Sequence, residues 1–135
     1  MIIRRYFWSF CAFTGVFLLC ILPFPDVPQL GDVPLMDKWV HFVMFGGLSC
    51  VIWWDYAHDK KKKGTNTVSF CQFLVLVGVP MLFGGLMELA QQYLTTYRSG
   101  DWMDFVADCV GVILAIPIGL FLLRTISSKG NKGDS

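Results

Sequence analysis

Hydrophobic and polar residues alternate along this chain in blocks rather than singly. Tyr6 to Leu22 holds about 17 residues without a charge, close to the shortest stretch that crosses a bilayer as a helix. A signal peptide is the competing reading, since Arg4-Arg5-Tyr6-Phe7 loosely matches a twin-arginine start. No small-residue cleavage pattern follows, so a retained helix is expected. Pro23 to Met36 then gathers Pro23, Pro25, Pro28, Gly31 and Pro34. Prolines lack a backbone N–H and restrict the preceding residue, so this stretch reads as an extended loop.

Asp37 opens a second helix, expected to run to about Tyr56, with an acid placed to favour the helix start. His58 to Gly64, with Lys60 to Lys63, reads as a cationic turn that fixes orientation. A third helix is expected over about Val68 to Tyr93, bent near Pro80, and a fourth over about Asp104 to Leu123. Residues 1–124 thus read as one all-α domain of four transmembrane helices in a compact bundle, and 125–135 as a polar, disordered tail.

Composition strengthens the membrane reading: the 135 residues are 55% hydrophobic and only 16% charged. A net charge of +1, with its cations in short clusters, gives no basis for a nucleic-acid partner. Cys11, Cys20, Cys50, Cys71 and Cys109 form no CxxC pair and read as small buried hydrophobes. Basic residues precede helix one, join helices two and three, and follow helix four, whereas the other two linkers are mainly acidic. The positive-inside rule therefore places both termini in the cytoplasm of a multi-pass protein of the inner (cytoplasmic) membrane.

That topology brings most remaining ionisable groups to the outer level: Asp37, Lys38 and His41, then Glu88, Gln91 and Gln92, then Arg98, Asp101, Asp104 and Asp108. Asp55 and Asp59, beside the lysine turn, are the clear exceptions. Asp37 and His41 share a helix face, as do Asp104 and Asp108, and the latter stripe continues through Gly111, Ala115 and Gly119, a close-packing series. Acids inside a membrane are costly, so these need partners or a purpose. Glu88 and His41 are the candidates for acid/base chemistry. A single histidine among the acids gives a metal site little weight, and no cofactor is expected. No nucleophile elbow, phosphate loop or HExxH motif is present.

The series Asp37-Lys38-x-x-His41-Phe42-x-x-Phe45, Glu88-x-x-Gln91, Arg98-x-x-Asp101-x-x-Asp104 and Asp108-x-x-Gly111 resembles the VanZ-like family over about Asp37 to Gly119. The chain departs from that pattern in having Thr95-Thr96 where a proline is usual, and Asp108 where asparagine is common. The resemblance implies a small integral membrane protein of the cell envelope. The family takes its name from a member linked to resistance to teicoplanin, an antibiotic that carries an acyl chain and acts at the outer membrane face on cell-wall precursors. The leading expectation is an outer-leaflet polar pocket, formed by Asp37, Lys38, His41, Glu88, Gln91, Arg98, Asp101, Asp104 and Asp108, that binds a membrane lipid or a lipid-linked or acylated envelope molecule. A structural or partner-binding subunit and a membrane enzyme acting on an envelope lipid are the alternatives, and homo-oligomerisation is left open.

Overall fold

A computed structural model describes residues 2–22, 36–96 and 100–128. It contains α1 (Ile2–Arg5), α2 (Phe7–Ile21), α3 (Met36–Lys62), α4 (Phe70–Leu94) and α5 (Trp102–Ser128), with no strand among the described residues. The proline-rich loop, Arg98 and the tail beyond residue 128 lie outside the described residues. Among the described residues, α4 and α5 are by length and composition the two helices apolar enough to cross a membrane. The expected four spans are therefore met in full by two. The apolar α2 has only 15 residues, and α3 carries charged residues towards both ends.

Side-chain pairing fixes the helix directions. On α3 and α5, Lys38 meets Asp104, His41 meets Asp108 and Trp53 lies over Gly119, so these helices run side by side in the same direction. On α4, Glu88 reaches His41, Gly84 lies against Phe45, and Phe73 packs on Trp53, so α4 runs against α3. Ser9 bonds Asp55 and Arg5 pairs with Asp59, which sets α2 antiparallel to α3 as well. The four long helices alternate up and down, and two polar ends flank an apolar middle centred on Phe45, Trp53, Val112 and Cys20.

Small residues allow the α3–α5 contact. A Cβ placed on Gly111 would lie 2.5 Å from the carbonyl oxygen of Phe42 and 2.9 Å from the amide nitrogen of Gly46. Only hydrogen fits there, and the two backbones touch. Ala115 is buried next along the stripe, and a Cβ on Gly119 would run into the Trp53 indole.

The second helix outruns its expected end near Tyr56 and continues to Lys62, closing at Gly64 with a positive φ of 65°. Lysine is a good helix former, and its charge suits the carboxyl end of the helix dipole. The acids of this segment also face inward. Asp59 takes Arg5 Nε at 2.7 Å and Lys63 Nζ at 2.7 Å. Asp55 Oδ2 accepts both the backbone N–H and the hydroxyl of Ser9, each at 2.8 Å. Tyr6 at the N-cap of α2 offers no side-chain cap, so a carboxylate from α3 satisfies that first turn instead. Ser69 and Gln72 form a capping box at the start of α4, and Gln72 Oε1 also accepts Tyr56 O–H at 2.7 Å. Ser127 donates to the Thr65 carbonyl at 2.7 Å, bringing the end of α5 to this same basic end.

Candidate functional site

The opposite end of the bundle is acidic, and it is built from three helix segments. Asp37 and Asp104 occupy the first turns of α3 and α5, where the positive end of each helix dipole favours a carboxylate. Because α3 and α5 are parallel, these two starts lie side by side, and side-chain atoms of Asp37, His41 and Asp104 come within 4.8 Å of one another. Lys38 Nζ bridges Asp101 Oδ2 and Asp104 Oδ1, both at 3.1 Å. Asp101 itself caps α5: its Oδ1 accepts the Met103 N–H at 2.9 Å. That N–H, followed by the Lys38 ammonium, holds the exposed Asp101 carboxyl below the usual range.

One layer deeper lies His41. Its Nδ1–H donates to Asp108 Oδ1 at 3.1 Å and lies 3.6 Å from Glu88 Oε1, while Nε2 is 3.9 Å from Asp104 Oδ2. His41, Glu88, Asp104 and Asp108 are all buried, Asp108 completely. Glu88 Oε2 accepts the Asp101 backbone N–H at 2.9 Å, which ties the α4–α5 loop to the site. Gly100 makes that bond geometrically feasible. A side chain there would collide with the Glu88 carbonyl, so only glycine lets the loop pass this close.

Two buried carboxylate oxygens, Glu88 Oε1 and Asp108 Oδ2, have no hydrogen-bond partner among the described residues. Glu88 Oε1 lies 3.6 Å from His41 Nδ1, whereas Asp108 Oδ2 lies towards Gly84 on α4. Helix dipoles account for Asp37 and Asp104 but not for these two acids. Glu88 lies within about two turns of the carboxyl end of α4, and Asp108 lies beyond the first turn of α5. Five acids (Asp37, Glu88, Asp101, Asp104, Asp108) face one lysine and one imidazole across the described part of the site. The chemistry such a cluster offers is capture of a proton, a cation or a strong hydrogen-bond donor.

The structure thus brings together Asp37, Lys38, His41, Glu88, Asp101, Asp104 and Asp108. It does not bring in Gln91, which is three residues from Glu88 and turned towards α2, where its Nε2 donates to the Cys20 carbonyl at 3.2 Å. Arg98 lies outside the described residues. From the sequence, a metal site had little weight on its single histidine. His41, Glu88 and Asp108, and likewise Asp37, His41 and Asp104, offer ligand atoms within 4.8 Å of one another. Sequence reasoning also missed the layer at the basic end. Its signal was the four-residue spacing of Asp55 and Asp59, which places both on the inward face of α3.

No family model matches the chain, and no solved structure does. A curated relative is an uncharacterized protein of Schizosaccharomyces pombe, 35% identical over 106 residues, which are 78% of this chain and 59% of that protein. The chain therefore spans about three fifths of the length of the curated relative it matches.

Proposed function

We propose that this chain is a multi-pass membrane protein of the VanZ-like kind, in which α2, α3, α4 and α5 all cross the cell (cytoplasmic) membrane. In this reading the acidic cluster lies at the outer leaflet and recognises the amine- or hydroxyl-bearing head of a lipid-linked or acylated envelope molecule. Support for four crossings comes from where the charges of α3 point. His41, Asp55 and Asp59 are buried against other helices, so the face left for lipid is apolar. Arg5, Lys60 to Lys63 and Arg124 collect at one end of the alternating bundle, as the positive-inside rule requires of a cytosolic face. Leu74, Leu82, Ile113 and Phe121, each at least half exposed, suit a hydrocarbon surround.

The observation that carries the recognition reading is the unpartnered Glu88 Oε1 beside His41, with a second unpartnered oxygen, Oδ2, on the Asp108 that His41 bonds. A buried carboxylate oxygen left without a partner costs about 1–3 kcal/mol, and a donor group on a ligand removes that cost. An ammonium or hydroxyl head entering beside His41 would meet Glu88 Oε1. One contact favours a catalytic variant: the His41–Asp108 hydrogen bond orients the imidazole as in acid/base dyads, leaving Nε2 for proton transfer and Glu88 as the second acid.

The test is native mass spectrometry of the detergent-purified protein, with Tm measured in parallel for wild type and Glu88→Gln. Recognition predicts a co-purifying amine- or hydroxyl-bearing lipid that Glu88→Gln loses while its Tm stays near wild type. A lipid-free wild type whose Glu88→Gln variant melts far lower would make the cluster purely structural. Stoichiometric divalent metal in elemental analysis would identify the missing partner as an ion rather than a lipid head. A C-terminal reporter found outside the cell would overturn the outer-face assignment.

A further inference from the structure

A second concave feature lies at the other end of the molecule. A cleft of about 550 Å³ opens where α2, α3 and α4 meet near the lysine segment. Its body is apolar, formed by Phe10, Phe13, Ile52, Val75, Leu76 and Val79, and three of these side chains are also open on the outer face of the bundle: Phe10, Val75 and Val79. Its mouth carries Arg5, Lys60 and Lys63 against the single acid Asp59. Asp59 is already engaged by Arg5 and Lys63. Lys60 is left over. It is only 9% exposed, and among the described residues its ammonium has no carboxylate or hydrogen-bond partner, only the Tyr56 ring at 5.4 Å from the centroid.

A lysine side chain nearly buried in a largely apolar cleft is best completed by an anion at its ammonium; a ring face alone replaces little of the hydration that is lost. Volume, apolar body and cationic mouth together fit one class of molecule. We propose that the cleft is a binding site for an acidic phospholipid of the cytosol-facing leaflet, its phosphate at Lys60 with Arg5 and Lys63, and an acyl chain along Phe10, Phe13, Val75 and Val79. Basic pockets between membrane helices on the cytoplasmic side hold anionic headgroups in this manner. The proposal rests on the bundle lying in a membrane, but not on what the acidic end binds.

The full chain, extracted in detergent and stripped of lipid, is titrated with dioleoyl phosphatidylglycerol, dioleoyl phosphatidylcholine or inorganic phosphate, reading Tm and bound lipid by native mass spectrometry. Phosphatidylglycerol is expected to give a saturable rise in Tm and a one-to-one adduct, and the other two additives neither. Lys60→Met keeps the length of the side chain and removes its charge. It should weaken phosphatidylglycerol binding at least about fivefold, the worth of one basic residue at an anionic lipid surface. Lys60→Arg should restore it, and Val75→Trp, which fills the cleft from an exposed position, should block the adduct. Equal effects of the two phospholipids, an equal rise with inorganic phosphate, or an undiminished adduct in both Lys60→Met and Val75→Trp would overturn the proposal. Release of the chain from membranes by carbonate would overturn the membrane premise separately.

Discussion

Gly111→Ala tests the helix packing most directly. The new Cβ would lie 2.5 Å from the Phe42 carbonyl oxygen, about 0.9 Å inside the 3.4 Å at which ordinary contact starts, and 2.9 Å from the Gly46 nitrogen. Both obstacles are backbone, so no rotamer change relieves the clash; α3 and α5 must move apart or slide. That movement would also loosen the pairs on either side, His41–Asp108 and Trp53–Gly119. Overpacking of this kind costs about 1–3 kcal/mol. The better helix propensity of alanine offsets about 0.5–1 kcal/mol of it. The net expectation is destabilisation of about 1–2 kcal/mol, or a drop in Tm of roughly 4 °C per kcal/mol for a chain of this size. Gly47→Ala is the matched control: it lies on the same helix as Gly46, but nothing is within 4 Å of its added Cβ. It should gain the propensity term and melt at or above wild type. Both variants are compared by thermal unfolding in one detergent. If Gly111→Ala melts at or above wild type, the close α3–α5 approach is wrong.

Three other outcomes follow from contacts at the two ends and between them. Gln91→Leu removes the donor to the Cys20 carbonyl and should cost about 1 kcal/mol in thermal unfolding, while leaving lipid retention by the acidic end unchanged, because Gln91 faces α2. Asp55→Ala strips the cap from the first turn of α2 and leaves the Ser9 N–H and hydroxyl unsatisfied. A loss of about 1–3 kcal/mol is expected, with faster amide exchange confined at first to α2. Asp101 has a carboxyl pKa depressed by the Met103 N–H and Lys38, so its contribution to stability is present above its unfolded value and is lost as pH falls through the folded value. Acid titration of Tm should therefore be flatter below about pH 4 for Asp101→Asn than for wild type.

The order, type and approximate position of the long helices were legible in the sequence because each is an apolar block bounded by proline, glycine or charge. The gathering of acids at one end was legible too, since alternating helix direction sends Asp37, Glu88 and Asp104 to the same level whatever their rotation. Rotation was harder to read. Helices apolar on both faces give little phase information from hydropathy, so only small and polar residues report which side is inward. The stripe from Asp104 and Asp108 through Gly111, Ala115 and Gly119 carried that information for α5, and its inward facing agrees with the buried Asp108 and Ala115. The Glu88–Gln91 pair did not. Three residues turn a helix by most of a circle but not all of it, which was enough to send Gln91 to α2 and Glu88 to His41.

The lysine segment marks the clearest division between the two sources. Composition made it a charged turn, and lysine's helix propensity and its fit to a helix carboxyl end allow a helix there but do not require one. Tertiary contacts decided otherwise: Asp55 caps another helix and Asp59 draws in Arg5 and Lys63, so the α3 helix is held to Lys62 and Lys60 is carried into a cleft. By itself the sequence determined the blocks, their polarity and the ends at which charges collect, because those depend only on local composition and on chain direction. Which charge meets which, which oxygens are left without a partner, and where a cavity opens depend on helix rotation and on backbones close enough to touch, and these only the packed structure decided.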